Sequence, residues 1–123
     1  MLLVRTEVKP SKVHGLGLFA AEPIKAGTVL RRYDPRFDRE FTKAQLQELP
    51  ELARAFLEHF GYEADGDGIK VSMDNSRYTN HSKENPNVVW EGDVTTALRD
   101  IAVGEEILED YLTYEPDFRM PRP

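Results

Sequence analysis

The chain contains no cysteine among its 123 residues. That excludes disulfides, thiolate zinc sites and cysteine nucleophiles. Histidine is scarce too, at three, with no H-x-E or H-E-x-x-H spacing, so no metal site is expected. No run of about 18 apolar residues occurs, so no membrane span is expected. Met1-Leu2-Leu3-Val4-Arg5-Thr6-Glu7 meets charge too early for a signal-peptide core. An intracellular protein is expected, cytoplasmic, or nuclear in a eukaryotic setting. Basic residues are the minority, 16 against 22 acidic, for a net charge of −6. That argues against direct nucleic-acid binding, which needs a basic stripe. It suits a partner rich in lysine and arginine, because opposite charge speeds encounter. With 40% hydrophobic and 31% charged residues, the composition fits one globular domain over 1–123.

Residues 2–8 read as a strand ended by Lys9-Pro10-Ser11. A turn at His14-Gly15-Leu16-Gly17 leads to a short apolar segment, and a second strand follows Gly27 to about Tyr33. Residues 31–39 alternate charge around Pro35 and read as an exposed connection. Only 42–60 carries a helical period, with Leu46, Leu49, Ala53, Phe56 and Phe60 forming one stripe. Thr42 and Gln45 match a capping box, Gly61 fits a C-terminal cap, and Pro50 either kinks the segment or starts a second helix. Asp65-Gly66-Asp67-Gly68 marks a turn before a strand at Ile69-Lys70-Val71. Asn80 to Asn87 reads as an irregular loop. Strands follow at 88–90 and 94–98, and Ile101-Ala102-Val103-Gly104 echoes Ile24-Lys25-Ala26-Gly27 over a stretch too short to count as a repeat. Many short strands with one helical insertion indicate a mainly β domain.

Three motifs stand out. Gly15-Leu16-Gly17-Leu18-Phe19-Ala20 matches the dinucleotide fingerprint in letters, but a loop precedes it and Pro23 and Gly27 forbid the helix that must follow. Two glycines in a tight turn is the default reading, with close backbone approach to a ligand as the alternative. Asn80-His81-Ser82, then Pro86-Asn87, offers an amide, an imidazole and a hydroxyl to a small polar ligand, or is a solvated loop. Gly104-Glu105-Glu106-Ile107-Leu108-Glu109-Asp110-Tyr111 ends in a tyrosine whose hydroxyl is either half-buried and satisfied or aimed into a site.

Taken in order, these pieces resemble the SET domain, the fold of a large class of protein lysine methyltransferases. Its G-x-G turn is matched by Gly15-Leu16-Gly17. Its R-F-I-N-H-S-C-x-P-N signature is similar to Arg77-Tyr78-Thr79-Asn80-His81-Ser82, then Pro86-Asn87. Its R-D-I and G-E-E-L-T-F-D-Y signatures resemble Arg99-Asp100-Ile101 and Gly104 to Tyr111. The resemblance spans roughly Thr6 to Tyr111. It implies a β-clip of several small sheets, a helical insertion at about 34–70, and a C-terminal pseudoknot that brings Asn80-His81 beside Tyr111. It further implies that S-adenosylmethionine, leaving as S-adenosylhomocysteine, lies against Gly15, Leu16, Gly17, Asn80 and His81. A lysine of a basic protein substrate would enter a channel walled by Tyr33, Tyr78 and Tyr111, with Tyr111 orienting the amine. Glu105, Glu106, Glu109 and Asp110 would present acidity to that substrate.

The chain departs from the family pattern in places. Lys83-Glu84-Asn85 gives one residue more than usual between Ser82 and Pro86. Tyr33-Asp34-Pro35 stands where Y-x-G is common, and Glu109 where an aromatic is common. Without cysteine, the chain cannot build the zinc cluster that completes many relatives. The expectation is that the tail at 112–123, through Tyr114 and Phe118, covers the cofactor; a second copy in a homodimer is the other source of that wall. Two rival readings remain open: a SET-like module that binds a lysine-rich partner without turnover, and a structural β-clip without ligand.

Overall fold

The computed structural model describes residues 1–63 and 68–111. In chain order the strands of the first half are β1 (Thr6–Pro10), β2 (Leu16–Ala20), β3 (Val29–Arg32) and β4 (Arg39–Phe41). Helices α1 (Lys43–Glu48) and α2 (Glu51–Phe60) follow, then β5 (Tyr62–Glu63) and β6 (Ile69–Val71). A 3-10 turn at Asn75–Tyr78 leads to β7 (Asn80–His81), β8 (Val88–Glu91), β9 (Val94–Ala97) and β10 (Leu108–Glu109). These strands make three small sheets, β1-β2, β3-β9-β8-β10-β7 and β4-β6-β5. The mainly β expectation holds.

Two boundaries move. The first strand is Thr6–Pro10 rather than 2–8, starting and ending later, with Pro10 opposite Leu16. Pro10 is tolerated because it ends a strand with one partner and owes no ladder N–H on its outer side. Asn80-His81 is a short strand rather than loop, because β10 runs parallel beside it, Leu108 opposite Asn80. β10 also pairs with β8, Glu109 opposite Val88. It therefore lies between two strands that residues 82–87 join directly, fixed by Ser82 N–H to Glu109 O and Asn87 N–H to Leu108 O, both 2.9 Å. The C-terminal segment threads beneath that loop. This is the pseudoknot.

The I-x-x-G echo proves to be two interlocked copies of one turn, 77 positions apart by number. Ile24 and Ile101 exchange backbone hydrogen bonds at 2.9 and 2.7 Å. Gly27 N–H donates to Ala97 O, and Gly104 N–H to Ala20 O, each at 2.8 Å. Both glycines have φ +84°, a left-handed conformation that a side chain would strain. Each copy also sends matched residues, Leu30 and Ile107, into one core with Leu18, Val88 and both isoleucines. Pairing, not length, makes the echo structural.

The helical stretch breaks where Pro50 lies. The Thr42–Gln45 capping box forms in both directions, and Pro50 caps a second helix that Gly61 closes through its N–H to Leu57 O at 2.7 Å. The break resets the helical phase, so α2 buries Leu57 and leaves Phe56 45% exposed. The single stripe read from sequence ran straight through a discontinuity. Leu46, Leu57 and Val71 make a separate small cluster with Phe41, Leu49, Phe60 and Ile69 around it.

The charged connection at 31–39 is exposed only in part, at Arg32, Pro35, Arg36, Phe37 and Arg39. Arg31, Asp34 and Asp38 are buried. Asp38 accepts from the Met1 amine and Asp34 N–H, both at 2.9 Å, and Asp34 holds Arg36. Those contacts offset the cost of taking Asp34 and Asp38 from water, and Arg31 donates to the hydroxyls of Ser76, Ser72 and Tyr62.

Candidate functional site

The site begins at Gly17. A Cβ there would collide with the Glu106 carboxylate, whose Cδ would lie at 2.9 Å. Glu106 crosses this gap to accept from Ser11 Oγ at 2.8 Å and from Asn80 Nδ2 at 3.0 Å. The same amide nitrogen donates to His14 O at 2.9 Å and Leu16 O at 3.0 Å. Asn80 thus ties the G-x-G turn to the threaded strand. Its amide nitrogen is committed to the protein, so it shapes the cleft rather than reaching out with that group.

Asn87, 1% exposed, performs the matching task on the other side of β10. It accepts from Leu108 N–H at 2.8 Å and donates to Glu106 O at 2.8 Å. Buried amides whose nitrogens are fully engaged favour one register. That register carries Tyr111 to His81, whose Nδ1 accepts Tyr111 N–H at 2.9 Å. Asp110 Oδ1 lies 3.7 Å from the same nitrogen. The Tyr111 hydroxyl donates to Thr79 O. A hydroxyl that donates its proton can also accept an N–H through its oxygen.

Two cavities adjoin at this tyrosine. One, about 250 Å³, runs between His14-Gly15-Leu16 and Asn80-His81. The other, about 70 Å³, lies on the Arg31, Tyr62 and Trp90 side. His59, Phe60, Arg77, Thr79 and Tyr111 line both. In the larger cleft, nothing lies within 4 Å of where a Gly15 Cβ would project, so backbone is open to a ligand. Arg77 stands with its guanidinium 5.5 Å from the Phe60 and Tyr78 rings, and its buried Nε has no hydrogen-bond partner among the described residues. Among the described residues no group of three metal-binding side chains occurs.

The profile of the SET domain matches residues 15–112, more than half of the chain. The chain belongs to the SET-domain family. No curated protein sequence matches it. Among solved structures, a Plasmodium falciparum candidate histone methyltransferase superposes with a TM-score of 0.64 at 20% identity, over 89% of this chain and 95% of that one. A humanized mutant of the Chaetomium thermophilum Polycomb Repressive Complex 2, bound to an inhibitor, gives 0.63 at 25% identity. That match covers 93% of this chain but 16% of the Polycomb chain. These likenesses establish the fold.

Against this SET framework the expected site residues separate. Gly15, Leu16, Asn80, His81 and Tyr111 line the larger cleft, and Gly17 lies just behind it under Glu106. Tyr78 also lines that cleft, packed edge-on to Phe60 at 5.4 Å, and is absent from the smaller cavity where a channel wall was expected. Tyr33 lines neither cavity. Its N–H is drawn to Asp93 O at 2.9 Å beyond the end of β3, and Lys70 Nζ sits 4.4 Å from its ring centroid. Tyr114 and Phe118 lie outside the described residues.

The acidic run is largely spent inside the fold. Glu105 pairs with Arg99 at 2.6 Å, which with the Ala102 N–H holds its carboxyl below the ordinary range despite partial burial. Glu106 is engaged as above. The expected acidic face for substrate is therefore not built from these two. His59 and Arg77 were missed as site residues. Arg77 lay in plain view within the R-x-x-N-H-S signature, whereas nothing local marks His59, which the α2 C-terminus carries to the cleft.

Proposed function

We propose that this chain is an S-adenosylmethionine-dependent methyltransferase acting on the ε-amino group of a lysine in a basic protein substrate. The observation that carries the reading is Tyr111, anchored at backbone and hydroxyl, standing where a 250 Å³ cleft adjoins a second cavity. The residues present fit the cofactor. Open backbone at Gly15-Leu16 and the faces of Phe60, Tyr78 and His81 suit a flat base and ribose, and the unpartnered Arg77 Nε suits a carboxylate. When bound, the cofactor supplies an electrophilic methyl group on a sulfonium.

The chain's own work is alignment. A free lysine has a pKa of about 10.4 and is mostly charged near neutrality. Burial beside fixed positive charge disfavours that form, so the wall supplied by Arg77 helps release the amine's proton. Tyr111 accepts one of the remaining amine N–H groups, which fixes the direction of the nitrogen lone pair. Thr79 O holds the tyrosine hydroxyl in turn, so that direction does not wander. Orientation of this kind accounts for much of the acceleration available to such a transfer. Similarity to structures described as histone methyltransferase and Polycomb assemblies supports a lysine substrate.

The test is transfer of labelled methyl from S-adenosylmethionine to core histones and to other lysine-rich proteins, with Tyr111→Phe as the control. Label on lysine that Tyr111→Phe abolishes is the expected result. Binding of S-adenosylhomocysteine with no transfer to any basic protein would replace the enzyme with a non-catalytic lysine-binding module.

A further inference from the structure

Strict alternation along β3 would send either Leu30 or Arg31 to solvent. A bulge prevents it. Val29 lies opposite Thr96 while Arg31 lies opposite Thr95, so the register slips between them and both Leu30 and Arg31 turn inward. Arg31 keeps 8% of its surface exposed and lines the smaller cavity together with Tyr111. Its Nε donates to Ser76 Oγ at 3.0 Å, and its Nη2 donates to Tyr62 OH at 3.3 Å and to Ser72 Oγ. Each of these partners is neutral. Among the described residues no carboxylate lies within ion-pair distance of Arg31.

The aromatic part of this lining would otherwise welcome a cation. Trp90 and Tyr62 stand edge-on with ring centroids 5.4 Å apart, and the faces of such rings attract ammonium groups. Here the Arg31 guanidinium takes those faces, 4.5 Å from the Trp90 centroid and 5.4 Å from that of Tyr62. A guanidinium holds its charge at any pH the fold meets. The other charged or titratable groups of the lining are Arg77 from the 3-10 turn, His59 from α2, Glu109 from β10, and Tyr111 at the junction. Two guanidiniums thus face one carboxylate. An ammonium entering here would leave water beside like charge, which disfavours its charged form. A neutral amine meets no such cost.

We infer that Arg31 is a specificity-determining residue, which admits the substrate lysine to the smaller cavity as a neutral amine and turns away the ammonium. The inference takes its substrate from the methyl-transfer reading, and its test needs no turnover. Lysine is mostly ammonium near neutrality, so its proton passes to solvent as the side chain enters. The nitrogen then reaches Tyr111 with its lone pair free.

Trp90 is the chain's one tryptophan, so its selectively excited emission reports on this cavity. The full chain is titrated with n-butylamine, a stand-in for the lysine side chain, from about pH 7 to about pH 9 at constant ionic strength. n-Butanol, neutral throughout, corrects for pH effects on the protein itself. The parent's apparent affinity falls about tenfold for each unit below the free amine's range of about 10.4, because the neutral form alone binds. Arg31→Met frees the two ring faces, binds n-butylamine about tenfold more tightly than the parent at about pH 7, and loses most of that dependence. Arg31→Lys keeps the charge and the dependence. Should Arg31→Met fail to fold, Arg31→Gln, which retains a donor for the serine hydroxyls, carries the same expectation. The absence of any amine response, a parent affinity level across that range, or a dependence that the neutral variants leave unchanged overturns the inference. Methyl transfer is read separately on the same samples. Amine binding with the expected dependence but no transfer to any basic protein keeps the inference and removes the enzyme; transfer alongside level amine affinity does the reverse.

Discussion

The cleft has two walls built on different principles. One is the Gly15 turn with Asn80-His81, held by the buried Asn80 amide, whose hydrogen bonds reach across 26 to 66 positions of sequence. The other is the end of α2, which brings His59 and Phe60 and rests on the small cluster of Leu46, Leu57 and Val71. The first wall tolerates almost no change, because removing one partner strands others in a low-dielectric interior. The second depends on apolar contact, which is graded and forgiving. α2 also leaves Leu52 85% and Phe56 45% exposed on its outer side. Chemistry is fixed by the stiff wall, while the soft wall is free to differ in shape.

The sharpest break in that comparison is at the tyrosine between the walls. Tyr111→Phe keeps the ring and loses the hydroxyl bond to Thr79, and the transfer rate falls by about a hundredfold or more with the fold intact. A rate within a few-fold of the parent, measured by label transfer, removes Tyr111 from the chemistry. Next is Asn80→Ala, which strands His14 O, Leu16 O and Glu106 at once. Denaturant unfolding should show a loss of about 3 kcal/mol together with lost binding of S-adenosylhomocysteine. On the soft wall, Leu57→Ala should cost about 2 kcal/mol, at the low end for a buried leucine because the cluster is small and open to collapse. Cofactor affinity should change far less there than in Asn80→Ala. If Leu57→Ala proves the more damaging to binding, the ranking of the walls is inverted.

A smaller effect appears with acid. Burial alone would raise the Asp74 carboxyl, but the Ser76 hydroxyl and N–H and the Leu2 N–H bring it below the ordinary range. Glu105 is lowered chiefly by Arg99. A folded-state pKa below the unfolded value means stability that is present above the unfolded pKa and lost as pH falls through the folded one. Stability should therefore be level near neutrality and decline below about pH 4. A pH series of unfolding free energies that declines instead from pH 7 would point to other groups. The smallest effect is Leu52→Gln, within about 0.5 kcal/mol of the parent, because that side chain is already in water.

Local signals were readable in sequence and non-local ones were not. The Thr42–Gln45 capping box, the Gly61 cap and the glycine turns are decided by neighbours within four residues, and they form as the letters suggest. The fold itself was legible through motif order, since a resemblance carries long-range information that spacing does not. What failed was whatever depends on a distant partner. Arg31 reads as surface until a bulge against β9 turns it inward. Tyr33 reads as a channel residue until Asp93 and Lys70 claim it. His59 gives no sign at all, because only packing of α2 on β6 carries it to the cleft.

The central claim is that the cleft between Gly15 and Asn80-His81 holds S-adenosylmethionine. Its most direct test is the thermal midpoint of the full chain with and without saturating S-adenosylhomocysteine, repeated in Asn80→Ala. The account predicts a stabilisation of about 2.7 kcal/mol at a hundred times the dissociation constant, several degrees for a domain of this size, and none in the variant. An unchanged midpoint at millimolar ligand, or a shift that survives Asn80→Ala undiminished, would contradict it.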